Sequence, residues 1–129
     1  MWAAGEWVRV RARNGSVSVA QFGSSDGKRA WVGVYRSSRP EEMRWKHVKL
    51  AWVLGGAEES EELQAARELV EIDSLRDRRQ RLGITQRDFT TLVGVNPAAV
   101  RDAEHGRRHT QKRIRHWLLM GLRKLEAAA

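Results

Sequence analysis

The fold of the C-terminal half is decided by Gly83-Ile84-Thr85-Gln86, Gly94-Val95-Asn96 and Glu104-His105-Gly106-Arg107. Thr85 and Asn96 are residues of the kind that begin helices, because their side chains accept a hydrogen bond from the first turn. Gly94 is of the kind that ends helices, since glycine adopts a positive φ without strain. The pattern therefore predicts two short helices joined by a tight glycine turn. A basic loop and a further helix follow them.

The two predicted helices offer different amounts of apolar surface to a core. Three apolar residues of the first helix, 86–93, share one face: Phe89, Leu92 and Val93. The second helix, 97–104, begins with Pro97, whose missing N–H costs nothing at the first position. Only Val100 and Ala103 suit burial in it, so its other side chains should point outward. Because the side chains at the N-terminal end of this helix are small, the helix can approach another macromolecule closely.

This segment resembles the helix-turn-helix of the phage Cro and repressor class, also called the XRE-like family, over roughly residues 72 to 125. The matching residues are Gln86, Gly94, Val100 and the run Glu104-x-Gly106-x-Arg108. Three positions depart from the family pattern: Arg78, where leucine is common, Thr90, where alanine is usual, and Ala103, where a larger residue is frequent. The resemblance implies an all-α domain that binds double-stranded DNA.

In that family the second motif helix reads bases. The resemblance therefore implies base-reading roles for Pro97, Ala98, Arg101 and Asp102. An outward arginine can donate two hydrogen bonds to guanine, a contact worth ~1–3 kcal/mol of discrimination. The alternative is a solvated helix face on which Arg101 and Asp102 contact nothing.

Phosphate contacts are expected at helix N-termini and in the basic loop, where backbone N–H groups and cations attract anions. The expected contacts are Gln86, Asn96, Arg107, Arg108, Lys112 and Arg113. A solvated basic face is the alternative for the cations. Thr110 is the expected N-cap of the last helix.

The family often pairs residues at the positions of Arg79 and Glu104, and the resemblance implies a partly buried ion pair here. A guanidinium and a carboxylate satisfy one another where neither could be buried alone. Two exposed charges that contribute little to stability are the alternative.

The last helix carries an apolar stripe at helical spacing: Ile114, Trp117, Leu118, Gly121, Leu122 and Leu125. Leu119 and Met120 lie off this stripe and should be exposed in a monomer. They are either a possible dimer contact or ordinary exposed apolar residues.

The N-terminal part reads as a small antiparallel sheet. Strands are predicted at 7–12, 16–22 and 30–35, with turns at Asn14-Gly15 and at 23–27. Residues 38–41 resemble a capping box. Residues 43–54 fit a strand or, less well, a helix, and we expect a fourth strand that begins near Trp45 and ends before a break at Gly55-Gly56. Arg9, Arg11 and Arg13 form a basic strand face that is either solvated or in contact with DNA or an acidic protein.

An acidic helix is predicted between the two halves, over residues 58–71, with Leu63, Ala66 and Val70 facing inward. Basic residues outnumber acidic residues by 24 to 16, and the acidic residues are concentrated in 57–71, where six stand against one basic residue. This balance suits a polyanionic partner.

The composition limits the other possibilities. With no cysteine, disulfides and cysteine-based zinc sites are excluded. His105, His109 and His116 are interleaved with arginines, so we expect no metal and no cofactor. No membrane span or signal peptide is apparent, and we expect a cytoplasmic, nucleoid-associated protein of bacterial or phage origin. The sequence shows no set of nucleophile and base residues that would indicate an enzyme.

The sequence thus predicts an α+β protein: a β-rich domain (1–56) for dimerisation or partner binding, an acidic connecting helix (57–71) and a lambda-repressor-like helix-turn-helix domain (72–129). We expect a sequence-specific regulator, a repressor acting as a homodimer on an inverted-repeat operator. The alternatives are an antitoxin-like adaptor that binds a second protein through its N-terminal lobe and autoregulates, or an excision or architectural factor that bends DNA.

Overall fold

The computed structural model describes residues 2–36, 42–105 and 110–129. The fold is mixed α+β, with a five-stranded antiparallel sheet followed by helices. The chain divides into two compact units, Met1–Ala66 and Arg67–Ala129. We call them the sheet unit and the helical unit.

The sheet unit has its five strands in the order β4-β3-β2-β1-β5. The strands are β1 (Trp7–Arg11), β2 (Val17–Ser25), β3 (Arg29–Tyr35), β4 (Met43–Lys49) and β5 (Val53–Gly56). The β1–β2 turn forms as predicted, with Gly15 at a φ of 87° and the Asn14 side chain accepting a hydrogen bond from the Ser16 N–H. Eight buried side chains form the core: Val8, Val10, Ala20, Phe22, Ala30, Val32, Val34 and Val48.

Three predictions for this unit were wrong. The strand expected at 45–54 is two strands, β4 and β5, separated by a 3-10 turn at Leu50–Trp52. Gly55-Gly56 is not a break but part of β5, which pairs with β1 because the chain folds back to the far edge of the sheet. The turn expected at 23–27 is shorter, since β2 runs on to Ser25 through an irregularity between Phe22 and Ser24. The predicted capping box at 38–41 lies outside the described residues.

The helices are α1 (Glu61–Glu71), α2 (Leu75–Arg81), α3 (Gln86–Val93), α4 (Pro97–Glu104) and α5 (Lys112–Ala128). A 3-10 turn at Ile72–Ser74 lies between α1 and α2. The core of the helical unit consists of Ile72, Leu75, Phe89, Val100, Ala103, Leu118, Leu119 and Leu122. None of the helices within the described ranges has the length and apolar character needed to cross a bilayer.

The predicted ends of α3 and α4 are confirmed. The Thr85 hydroxyl accepts a hydrogen bond from the Asp88 N–H at 3.1 Å. Gly94 ends α3 with a φ of 77°. Asn96 Oδ1 accepts a hydrogen bond from the Ala98 N–H at 2.8 Å, and Pro97 occupies the first turn of α4. Because each of these interactions is local, the sequence is sufficient to predict them.

Several burial predictions were wrong where packing decides the outcome. Leu119 is fully buried rather than exposed, because α5 contacts α2, α3 and α4 and so buries more than one stripe. It is therefore not an exposed dimer contact, whereas Met120 is exposed. Leu92, Val70 and Trp117 were expected to face inward, but Leu92 and Val70 are exposed and Trp117 is about half exposed. Thr110 does not cap α5, since the helix begins after Gln111 without a side-chain cap.

Candidate nucleic-acid interface

A buried ion pair fixes the C-terminal end of α4. The Arg79 guanidinium donates from Nε to Glu104 Oε2 at 2.6 Å and from Nη2 to Glu104 Oε1 at 2.9 Å. Arg79 Nη1 also donates to the carbonyl of Ile84 at 2.6 Å, and Gln86 Nε2 donates to Glu104 Oε1 at 3.0 Å. The Glu104 side chain is 1% exposed and that of Arg79 is 8% exposed. One carboxylate thus connects the end of α4 to α2 and to the start of α3.

The electrostatics of this pair follow from its geometry. Burial alone would raise the pKa of Glu104, but the hydrogen bonds from Arg79 and Gln86 outweigh it and hold the pKa below its usual value. The hydrogen bond to Glu104 raises the pKa of Arg79. The pair is therefore charged at neutral pH.

A second ionic cluster, which sequence reasoning missed, joins α1, α2 and α5. Arg78 donates to Glu126 at 2.9 and 2.5 Å and to Glu71 at 2.8 Å. Arg123 also donates to Glu71. The two arginine hydrogen bonds overcome burial and lower the pKa of Glu71. The Arg78 side chain is thus partly buried and makes charged contacts with two other helices.

The outward face of α4 carries the four residues expected to read bases. Pro97 and Arg101 are exposed, while Ala98 and Asp102 are half-buried. The Arg101 side chain makes no hydrogen bond or ion pair with any other residue that the structure describes. Val100 and Ala103 face the core, so α4 turns one small apolar face inward and one arginine outward.

The residues expected to contact phosphate differ in whether their side chains are free to do so. The Gln86 amide nitrogen is engaged by Glu104, so in this structure its side chain belongs to the ion-pair cluster rather than to an open phosphate site. Asn96 is exposed at the start of α4 and uses only its Oδ1 as a cap. Lys112 and Arg113 are exposed in the first turn of α5. Arg107 and Arg108 lie outside the described residues.

The two described histidines of the helical unit contact protein groups. His116 Nδ1 lies 2.7 Å from Glu68 Oε1, a buried carboxylate, and His105 Nδ1 lies 2.7 Å from the carbonyl of Arg101. Across residues 2–36, 42–105 and 110–129 there is no cluster of three or more residues able to hold a metal ion.

Sequence reasoning also missed an aromatic cluster in the sheet unit. Trp31 and Trp45 stack with ring centroids 5.9 Å apart, and His47 lies 4.7 Å from Trp31. The strand pattern carried the signal, because Trp45 and His47 alternate with Arg44 and Lys46.

Comparisons of the chain with protein-family models, curated proteins and solved structures returned no match.

Proposed function

We propose that the helical unit binds double-stranded DNA in a sequence-specific manner, with α4 in the major groove, and that the protein is a transcriptional regulator. The observation that carries the proposal is the outward face of α4. Arg101 is exposed, and its side chain makes no hydrogen bond or ion pair with another described residue. The small side chains of Pro97 and Ala98 lie beside it. A helix fits the major groove when its outward face is small, and an arginine there can donate to O6 and N7 of guanine.

The cations at the start of α5 support this placement. Lys112 and Arg113 stand at a helix N-terminus, where positive side chains are unfavourable in the free protein because of the helix dipole. A phosphate beside this turn would be attracted by both side chains and by the backbone N–H groups. The start of α4, at Asn96, is a second helix N-terminus that could attract a phosphate.

The remaining parts of the proposal rest on the sequence. We place the protein in the cytoplasm as a repressor that occupies its operator as a homodimer. Its DNA-binding domain is residues 72–129, and residues 1–56 form a β-rich domain for dimerisation or partner binding. Two such domains would read half-sites about one helical turn apart, ~34–36 Å.

The test is selection of the full-length protein against random duplex DNA, with the mass of the recovered complex determined. An enriched inverted repeat bound by two chains is the expected result. Binding without sequence enrichment would refute specific recognition, and co-purification of a stoichiometric second protein would favour an adaptor.

Two substitutions assign roles within the interface. Arg101→Ala should relax base preference at one position of each half-site and leave the salt dependence nearly unchanged. Lys112→Ala should weaken binding to every sequence and reduce the salt slope by about one. Lys124→Ala is the matched control, because Lys124 is exposed on α5 but lies twelve residues further along the helix, about 18 Å away. Equal weakening of all sequences by Arg101→Ala would make Arg101 a phosphate contact.

A further inference from the structure

The face of the sheet opposite its core carries an exposed aromatic surface. Side chains alternate along a strand, so Trp31, Trp45 and His47 lie on the opposite face from Val32 and the rest of the core. Trp31 is 37% exposed and Trp45 is 41% exposed, although they stack on one another. Two large aromatic residues therefore remain accessible on neighbouring strands.

Two glycines support the Trp45 ring from below. A Cβ atom at Gly33 would lie 2.7 Å from Trp45 Cε2 and 2.9 Å from Cζ2, and one at Gly23 would lie 3.1 Å from Cζ3. The six-membered ring thus bridges the backbone of β2 and β3, which covers one side of it. Since 41% of Trp45 is nevertheless exposed, the part of its ring that the backbone and Trp31 leave uncovered faces solvent.

Two cations lie at one end of this aromatic surface. At the next position on the same face Arg29 stands directly opposite Lys49 across the β3–β4 pair. Like charges directly opposite one another destabilise an antiparallel pair. Arg44 and Lys46 of the edge strand β4 alternate with Trp45 and His47 and therefore lie on the opposite face. The Asp26 carboxylate near Arg29 and the Trp52 ring, whose centroid is 5.5 Å from Lys49 Nζ, balance part of this repulsion. The two cations still make this end of the surface suitable for an anion.

We propose that this surface binds an unpaired segment of DNA, with bases stacked on Trp45 and Trp31 and phosphates beside the cations of β3 and β4. Every base has a flat ring face, and stacking on aromatic side chains combined with a cationic track is the general means of binding single strands. An acidic peptide would use the cations but not the flat ring. A duplex hides its base faces. The surface lies in the sheet unit, so the proposal does not depend on the function proposed for α4.

The test uses the full-length protein and a labelled oligothymidylate of about 15 nucleotides, near the upper end of the ~4–16 nucleotides that one such domain occupies. An abasic oligomer of equal length carries the phosphates without the bases. We expect the oligothymidylate to bind at least about tenfold more tightly than the abasic oligomer, because stacking of even one base has an effect of this size.

Substitutions locate the binding. Trp45→Leu should weaken oligothymidylate binding about tenfold, while Trp45→Phe, which keeps a ring, should restore most of it. The matched control is Trp117→Leu, the same change at a similarly exposed tryptophan of the helical unit. Thermal unfolding of Trp45→Leu checks that the sheet remains folded, and Trp45→Phe supplies the comparison if it does not.

Four results would overturn the proposal: equal affinity for the abasic oligomer, tighter binding to oligouridylate than to oligothymidylate, equal losses in Trp45→Leu and Trp117→Leu, or a homodimer that Trp45→Leu converts to monomer. These results would not affect the function proposed for α4, which is tested by a different substitution. Arg101→Ala should leave oligothymidylate binding unchanged while it alters duplex recognition.

Discussion

Replacement of Glu104 by glutamine should destabilise the helical unit by about 3 kcal/mol. The carboxylate accepts three hydrogen bonds, two from Arg79 and one from Gln86, with its side chain 1% exposed. Glutamine keeps one oxygen and turns an NH₂ group toward these donors, so the guanidinium charge remains buried without its counter-charge. Breaking such a pair costs about 3–5 kcal/mol. The Ile84 carbonyl still accepts from Arg79, which places the expected loss at the lower end.

The assay is thermal and urea unfolding of the wild type and the variant at pH 7. For a unit of this size, 1 kcal/mol shifts the Tm by about 4–8 °C, so the transition of the helical unit should fall by roughly 12–24 °C. Glu126→Gln is the matched control, because Glu126 also accepts two hydrogen bonds from an arginine, but its side chain is 34% exposed. That variant should lose less than about 1 kcal/mol. Equal losses in the two variants would refute the argument from burial.

The pH dependence provides an independent check. The folded-state pKa of Glu104 lies below its usual 4.5, so the ion pair contributes stability above pH 4.5 and loses that contribution as the pH falls through the lowered pKa. The difference in unfolding free energy between wild type and Glu104→Gln should therefore be greatest near neutral pH and shrink in acid. A difference that stays constant to low pH would mean that the carboxylate charge is not the cause.

Further substitutions test the packing of α3 against α5 and the turn that ends α3. Gly121→Ala should destabilise by about 1–2 kcal/mol despite the higher helix propensity of alanine, because a Cβ there would lie 2.6–3.2 Å from side-chain atoms of Val93; a second change, Val93→Ala, should reduce this penalty in a double-mutant cycle. Gly94→Ala should cost about 1–2 kcal/mol in urea unfolding from its φ of 77° alone, since nothing lies within 4 Å of a Cβ there. Trp117→Phe should lose about 0.5–1.5 kcal/mol with the 2.8 Å hydrogen bond from Nε1 to the Val93 carbonyl, and an unchanged unfolding midpoint would contradict its contribution.

The parts of the fold that the sequence predicted correctly depend on interactions within a few residues. Thr85, Gly94 and Asn96 act on the helix turn next to them, so residue type and spacing were enough. The hairpin at Gly15 formed for the same reason. The return of β5 to pair with β1 joins residues more than forty positions apart, and no local pattern at Gly55 indicates it.

Burial was harder to predict than helix position. Leu119 lies beside the apolar stripe of α5 and became core because three helices surround α5, which is a property of the packing. The Trp45 ring over Gly33 likewise depends on the register between β3 and β4. The pair Arg79–Glu104 was expected only from the resemblance, because 25 positions separate its members. No local sequence pattern indicated that Arg78 would pair with two carboxylates.

An ion pair, rather than a large apolar contact, holds α4 in position in the helical unit. Val100 and Ala103 are the only residues of α4 in the core, and burial of two such small side chains contributes only a few kcal/mol. The buried carboxylate of Glu104 adds a directional constraint at the end of the helix, since its hydrogen bonds require one orientation of the Arg79 guanidinium. This arrangement leaves the outward face small, as close approach to a base edge requires. Glu104→Gln should therefore weaken duplex binding through the position of α4, even though Glu104 contacts no DNA in the proposed complex.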